Sequence, residues 1–587
     1  MCGIVGIASK NKILPAHYDT QAMLDSLSKR GPDGYGEHRT SSAWLGHRRL
    51  SIIDLGGGGQ PMHDEELTIV FNGEIYSYRE LREKLEKRGH TFKTHSDTEV
   101  ILKAYREYGQ ECPKHLDGMF AFAIWDDSRQ TLFMARDRFG KKPLYYALDG
   151  DTIVFASEIK AILASGKIKG TLSREALDNY LRLMYIPPWK SIYKNIAQVP
   201  AAHSAQFKDG KLLTTRYWKL EFNPIDVSYE EAKKEVRRLL DEAVKKRMLA
   251  ADVEVGSFLS GGVDSTIVSI LAQNYLDHPL KTFSLGYGDY INELPYAEQA
   301  SKKIGSEHYT LQASGDNIEE LENVIAYFDE PHADNSDFPQ HLLSQMTASK
   351  VKVALSGDGG DEIFMGYGWH TRHKNLSYRA HTFEKTLLNA FQGRVRAQRI
   401  FPPLLRAALW MSPFRLSNKI FDHGAYAGAL TPMQKIFAFD LTTYLPGQLL
   451  SKVDRASMMH GLEVRCPFLD TALVEYVVNL PEEFKSHADG QKYLLKDLLS
   501  EYMPKEFVNR RKQGFGAPTT KWLREEKIAA YAQKMLGKDA AVRSLLSGTV
   551  IDIILHRFYK KNKNNDSQRI WILLCLEIWL RKAKPII

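Results

Sequence analysis

Three short stretches of the sequence carry residue types suited to group transfer. Cys2 follows only Met1, and cysteine is small enough for the initiator methionine to be removed ahead of it. A chain beginning at Cys2 places a free α-amine, with an unperturbed pKa of roughly 8, beside a thiol, and that amine can serve as the local base. A cysteine at position two is by itself more often structural than catalytic, so its neighbours decide its meaning. The second stretch, Ser260-Gly261-Gly262-Val263-Asp264-Ser265, lies between an apolar run and a helix-patterned run. Glycines there let backbone N–H groups approach phosphate oxygens, the helix N-terminus favours anions, and the serine hydroxyls add donors. The third, Ser356-Gly357-Asp358-Gly359-Gly360-Asp361-Glu362, also follows an apolar run and offers carboxylates suited to a hard cation on phosphates. A kinase-type loop would end in Gly-Lys-Ser/Thr, and the chain contains no such ending.

The neighbours of Cys2 make a specific pattern. Cys2-Gly3-Ile4-Val5-Gly6, Arg30-Gly31-Pro32-Asp33, Gly46-His47-Arg48-Arg49-Leu50-Ser51-Ile52, Asn72-Gly73-Glu74-Ile75-Tyr76 and Ser96-Asp97-Thr98-Glu99 follow one another in order. In wording and spacing they resemble the N-terminal-nucleophile (Ntn) glutaminase domain of class II amidotransferases. That resemblance implies Cys2 as the nucleophile that releases ammonia from glutamine, with Arg49 on the α-carboxylate and Glu74 and Asp97 on the α-amino end. It also implies Asn72 and the N–H of Gly73 as the oxyanion hole. Asn-Gly reads equally as a tight hairpin turn, which would expose the same donors.

The 260–265 stretch resembles the PP-loop of ATP pyrophosphatases, in which ATP is cleaved between the α and β phosphates and the substrate becomes adenylated. By that resemblance Ser260, Gly261, Gly262, Asp264 and Ser265 hold ATP, with Phe258, Leu285, Ser356 and Gly357 beside it. Asp264 and Asp361 are the implied Mg²⁺ ligands. Asp358 is implied in forming the acyl-adenylate and Lys492 in steadying its charge, although a lysine in an amphipathic helix ordinarily reads as solvated. Residues 451–457 and 460–470 resemble the family's helical segment beside the active site.

Both halves, in this order, are similar to the glutamine-dependent asparagine synthetases over nearly the whole chain. The family reaction converts L-aspartate, L-glutamine and ATP to L-asparagine, L-glutamate, AMP and diphosphate, and implies an internal ammonia channel and a homodimer. Three departures stand out: Met365-Gly366-Tyr367 where the family often has Gly-Gly-Tyr, Asn292-Glu293 where many members show Asp-Glu, and Cys466 at an often aliphatic position. They lie toward the expected acceptor side. The same machinery can amidate another carboxylate, such as a uronic acid of a surface polysaccharide, or close a lactam. A protein that has kept the fold as a regulatory or nucleic-acid-binding module is the reading from a different class, and intact Cys2, Asp264 and Asp361 argue against it.

The elements that must position these residues fall into two grammars. Up to about residue 215, short apolar runs at 2–8, 67–71, 120–125 and 131–135 are bounded by Gly, Asp and Asn, with helical spacing at 78–88 and 98–108. That is the α+β pattern expected of a four-layer αββα Ntn hydrolase domain over 2–215. Past Asn223-Pro224 a long amphipathic helix carries Ala232, Val236, Leu239, Leu240, Ala243 and Val244 on one face. Strands at 253–259, 281–285, 308–311 and 351–355 then alternate with helices at 266–275 and 296–304. The alternation predicts an α/β domain with a parallel sheet, over 229–587, whose ligands bind beyond the carboxyl ends of its strands. From about residue 371 a helical C-terminal lobe follows.

A chain of 587 residues is too long for one core, and 43% apolar with 26% charged residues marks an ordinary globular protein. The opening residues carry no basic leader and the apolar stretch 570–580 is too short to span a bilayer, so a cytoplasmic protein without a membrane partner is expected. Four cysteines without close spacing suit neither a disulfide framework nor a zinc site. The net charge of +8 draws on a basic stretch at 394–415, yet no stacking aromatic array accompanies it. Nucleic acid is therefore not an expected partner. His370 and His373 lack the rest of a metal-ligand pattern and read as structural.

Overall fold

The computed structural model describes the chain apart from residues 11–16, 289–291, 315–316, 373–400, most of 402–425, 428–429, 488–489 and 511–513. His373 and most of the basic stretch 394–415 lie outside the described residues.

In chain order the N-terminal strands are β1 (Gly3–Ser9), β2 (Gly34–Arg39), β3 (Ala43–Arg49), β4 (Met62–Asp64), β5 (Leu67–Ile75) and β6 (Gly118–Asp126). They continue as β7 (Thr131–Arg136), β8 (Tyr145–Asp149), β9 (Thr152–Ala156), β10 (Ala197–Gln198), β11 (His203–Lys208) and β12 (Lys211–Arg216). Two antiparallel sheets result, ordered β10-β8-β9-β1-β3-β2 and β12-β11-β7-β6-β5-β4. Strand β1 shows why its sequence is apolar at successive positions rather than alternating. Ile4 and Ala8 enter the core between the sheets with Leu45, Val70 and Ala121, while Val5 and Ile7 point the other way into a second cluster. That outer cluster includes residues of helices Ile159–Ala164 and Arg174–Leu183. Helices Tyr78–Glu86 and Asp97–Tyr108 share a cluster with the outward residues Ile69, Phe71 and Phe122 of the other sheet. Four layers follow, helix, sheet, sheet, helix, as expected from the sequence.

A short parallel pair, β13 (Leu220–Glu221) with β18 (Tyr426–Ala427), ties the connecting segment to the C-terminal part. Helix Tyr229–Leu249 starts from a capping box in which Ser228 and Glu231 bond each other's backbone N–H, and it buries Ala232, Val236, Leu240, Ala243 and Val244. The remaining strands are β14 (Val255–Phe258), β15 (Lys281–Gly286), β16 (Glu307–Gln312), β17 (Val353–Leu355) and β19 (Glu463–Arg465). They form one wholly parallel sheet ordered β16-β15-β14-β17-β19. The chain leaves β14 toward one edge and returns at β17 to build the other, so the topological switch lies between β14 and β17. A crevice for ligands opens at the carboxyl ends of those two strands.

Two expectations change here. Residues 460–470 are not one helix: Gly461, at φ +63°, follows the end of the preceding helix, 463–465 become the edge strand β19, and only Pro467–Leu469 form a short 3-10 turn. Pairing with β17 outweighs local propensity in so short a segment. The apolar stretch 570–580 is the middle of a buried helix, Ser567–Ala583, whose Glu577 accepts from the N–H groups of Ala541 (2.9 Å) and Val542 (2.7 Å). Among the described residues no helix is long and apolar enough to cross a membrane.

Two candidate active sites

Cys2 sits immediately before β1 at the end of the sandwich, buried, and its position is fixed from both sides. Its N–H donates to Asn72 Oδ1 (3.0 Å) and its carbonyl accepts from Arg30 Nε (3.1 Å). With Met1 present that nitrogen is an amide; loss of Met1 turns it into an amine within reach of the same oxygen. Burial pushes the thiol pKa up, and the Met1 ammonium pulls it back down.

Asn72 and Gly73 do not form a hairpin turn. They lie inside β5, opposite Ala121 and Phe120 of β6. The glycine is required by close approach, since a Cβ there would collide with the Met119 carbonyl and come within 2.8 Å of Phe120 Cα. Asn72 Nδ2 is buried and has no hydrogen-bond partner, an arrangement that leaves a donor ready for an oxyanion. Arg49 closes β3 beside Cys2, and its guanidinium is held by the carbonyls of Leu55 (3.1 Å) and Asp54 (2.7 Å).

Asp97 opens its helix behind the Ser96 cap and accepts from the Ile75 N–H (3.0 Å). Burial, helped by Glu463, raises its carboxyl to about 7. Glu74 is raised as well, by burial and by Glu463, and its Oε2 is buried without a partner. A pair of buried carboxylates near a thiol suits a substrate bringing its own ammonium.

Charged side chains of both domains fill the seam behind this pocket. Arg30 bonds Glu158 (3.0 Å) and Asp454 (2.8 Å), and the Met1 ammonium bonds Glu463 (2.8 Å), all of them buried. The Glu463 and Arg465 contributions went unseen in the sequence, because a charged three-residue strand carries no periodic signal.

The second site occupies the predicted crevice. Ser260 and Ser265 hydroxyls lie 3.1 Å apart, and Ser260 Oγ accepts from the Gly262 N–H (3.2 Å), holding the 260–265 loop ahead of helix Val263–Gln273. Gly261 adopts φ +71° with the Tyr296 backbone directly against it, so the loop has no room for a side chain there. The loop after β17 packs on it: a Cβ on Gly357 would meet Asp264 Cβ at 2.8 Å.

Lys492 is not in a solvated helix. It is buried at the left-handed residue preceding helix Tyr493–Leu499, and its ammonium pairs with Asp264 and with Asp361 (2.6 Å). Burial opposes its charge, yet the two carboxylates outweigh burial and raise its pKa. Ser356 Oγ donates to Asp358 (2.8 Å), whose carboxyl burial pushes up.

Phe258, Leu285, Ser356 and Gly357 line the same cavity of about 1120 Å³ as the loop, Asp358, Asp361 and Lys492. Its far wall holds Asp334, Ser336 and Gln448, which sequence reasoning did not place, beside Lys452 of the 451–457 segment. Gln448 Nε2 donates to Asp334 (2.6 Å) and Lys452 to Ser336 Oγ (2.8 Å). Burial disfavours the Asp334 carboxylate, but Lys452 and His332 outweigh it and hold the carboxyl well below its usual range. The available signal was the acidic run at 329–337 ahead of an amphipathic helix.

Of the three departures, Met365 turns into a core with Leu183, Tyr185 and Trp369, and Asn292 is exposed and caps Leu294. Neither lines the cavity. Cys466 touches Ser356, Sγ to Oγ 3.4 Å. His370 is structural, bonded to Asp440 (2.7 Å). Among the described residues no group of three or more His, Cys, Asp or Glu side chains forms a metal cluster.

Comparison with known proteins places both halves of the chain in known families. The sequence family described as asparagine synthase matches residues 235–581, and the one described as glutamine amidotransferase domain matches 1–218. The chain is 32% identical to the glutamine-hydrolyzing asparagine synthetase 1 of Bacillus subtilis (strain 168), covering 99% of this chain and 96% of that protein. It is 33% identical to asparagine synthetase 3 of the same organism, with 94% and 93% covered. A putative asparagine synthetase of Mycobacterium tuberculosis (strain ATCC 25618 / H37Rv) is 30% identical, with 99% and 97% covered.

Proposed function

The chain belongs to the asparagine synthase family, with a glutamine amidotransferase domain ahead of the synthase domain, and from that premise we propose how its residues divide glutamine-hydrolysing asparagine synthesis between two sites. L-Aspartate, L-glutamine, ATP and water give L-asparagine, L-glutamate, AMP and diphosphate.

At the first site Cys2 Sγ attacks the glutamine side-chain amide. Asn72 Nδ2 and the Gly73 N–H receive the oxyanion, ammonia leaves, and water hydrolyses the thioester to glutamate. Arg49 holds the α-carboxylate, and Glu74 with Asp97 the α-ammonium. At the second site the β-carboxylate of aspartate attacks the α-phosphorus of ATP, diphosphate leaves, and ammonia then displaces AMP from the acyl-adenylate. The 260–265 loop cradles the phosphates, Asp358 lies beside the reacting carboxylate, and Lys492 offsets the charge of the adenylate.

The convergence of Asp264 and Asp361 on the Lys492 ammonium supports a reading in which these two carboxylates would hold Mg²⁺. Bound there, Mg²⁺ supplies charge neutralisation of the diphosphate leaving group.

The observation that carries this reading is that one chain holds both sets of groups: buried Cys2 beside the unpartnered Asn72 Nδ2, and a cavity in which the 260–265 loop, Asp358, Asp361 and Lys492 meet.

Aspartate is the proposed acceptor because the substitutions that set the chain apart, Met365 and Asn292, do not face the cavity. The test supplies protein, ATP, Mg²⁺ and an ammonium salt, then compares AMP release with aspartate, with hexuronic acids and with no acceptor. Aspartate is expected to stimulate strongly; stimulation only by another carboxylate would remove asparagine synthesis. The family reading also makes the protein a cytosolic homodimer, for which light scattering should give twice the chain mass.

A further inference from the structure

The glutamine pocket is not closed by N-terminal residues alone. Behind Glu74 stands Arg465 of β19, fully buried, with a guanidinium nitrogen 3.5 Å from Glu74 Oε1. The same side chain donates through Nε to Glu463 (2.6 Å) and through Nη1 to the Arg247 carbonyl (2.6 Å), which fixes its plane. Its backbone carbonyl accepts from the Ser356 N–H (2.9 Å), the first residue of the loop that carries Asp358 and Asp361. One residue of the synthase sheet therefore touches both sites, through its side chain in one and its main chain in the other.

We propose that Arg465 is a positioning residue for glutamine: across the domain seam it orients Glu74 and keeps it available as a carboxylate for the glutamine α-ammonium. This rests on the assignment of Glu74 made above. The groups that face Glu74 are Asp97 from its helix, Glu463 and Arg465 from β19, the Cys2 thiol and the chain's N-terminal ammonium, which passes from Met1 to Cys2 when Met1 is lost; Asp97 and Glu463 disfavour its negative charge, while Arg465 and the ammonium favour it. A buried carboxylate among two others needs a fixed cation to stay ionised near neutrality. Arginine fits, because its planar fork serves Glu463, Glu74 and a carbonyl at once, which a lysine cannot do.

The test measures glutamine hydrolysis without ATP. Arg465→Met is expected to raise the glutamine KM at least tenfold with kcat changed less than threefold, and to move the fall of KM with pH to higher pH. Because Glu463 would lose its guanidinium partner and keep only the N-terminal ammonium, the paired variant Glu463→Gln/Arg465→Met keeps the buried charge balanced and should show the same KM effect. Arg465→Lys should recover part of the loss. In a Glu74→Gln background, removing Arg465 should add nothing further to KM, as expected when one residue acts through the other.

An unchanged KM in both Arg465→Met variants, or additive effects with Glu74→Gln, would overturn the proposal. These outcomes differ from failure of the functional reading, which would appear as no glutamine hydrolysis by the unaltered protein.

Discussion

The two sites solve opposite problems. The proposed glutamine pocket is set on strands: Asn72 and Gly73 lie within β5, Arg49 ends β3, and buried polar atoms such as Asn72 Nδ2 wait without partners. The nucleotide cavity is set on loops at strand ends, is large, and satisfies its charges internally through Lys492, Asp264 and Asp361. A small substrate recognised by few groups is served by rigidity and preorganised donors. A triphosphate and a second substrate need glycine loops that let backbone N–H groups close in.

The largest effect expected from this contrast is that of Cys2→Ala, which should abolish glutamine-dependent synthesis while leaving synthesis from ammonium salts largely intact. Loss of both activities in a folded protein would show that the two sites are not separable. Next, Asp264→Asn or Asp361→Asn should stop synthesis from either nitrogen source, at a cost of several kcal/mol in the transition state, while glutamine hydrolysis persists. Near-normal ammonia-dependent turnover in either variant would remove that carboxylate from the cation site.

A smaller effect is expected at the seam that joins the two regions. Arg30→Met leaves Glu158 and Asp454 buried with reduced compensation, since Lys160 (3.0 Å) and Lys142 (3.4 Å) remain beside them. Breaking such a network costs about 3 kcal/mol. Denaturant unfolding should show this as a lower midpoint, with both activities lost together. A midpoint unchanged from that of the unaltered protein would mean that the seam contributes specificity rather than stability.

What the sequence made legible follows from where its signals are local. The loop at 260–265 and the Ser96 cap declare themselves because their chemistry is contained within a few consecutive residues. Strand β19 does not, because Glu463-Val464-Arg465 has no apolar alternation and becomes a strand only through pairing with β17. Asn72-Gly73 misled for a related reason: the dipeptide favours turns, and only the Met119 carbonyl opposite explains a glycine in mid-strand. The burial of Lys492 was equally hidden, since its two carboxylate partners come from distant loops. Departures at Met365 and Asn292 appeared to bear on the acceptor, and folding turns both away from it.

The smallest effect expected distinguishes the pockets by their response to pH. Asp97 is raised to about 7, first by burial and then by Glu463, so below that pH its carboxyl is protonated and neutral. A neutral carboxyl holds the glutamine α-ammonium less well, so the glutamine KM should be high at pH 6 and fall as pH rises through 7. The change over that window is bounded at about tenfold, the ratio of ionised fractions two units apart around one titration. Glu74 is raised as well, by burial and by Glu463. Asp97→Asn should therefore raise KM and flatten most of its pH dependence, while the amide oxygen can still accept from the Ile75 N–H and preserve the local backbone. The KM for ATP, measured with ammonium as nitrogen source, should not follow the same curve, because Lys492 stays charged across this range with its pKa raised by Asp264 and Asp361. If Asp97→Asn keeps the wild-type profile, the titration belongs to another group and Asp97 does not hold the α-ammonium. If the ATP KM shares the glutamine profile, the two sites respond to one ionisation at the seam, and the contrast between a strand-built and a loop-built site no longer separates their electrostatics.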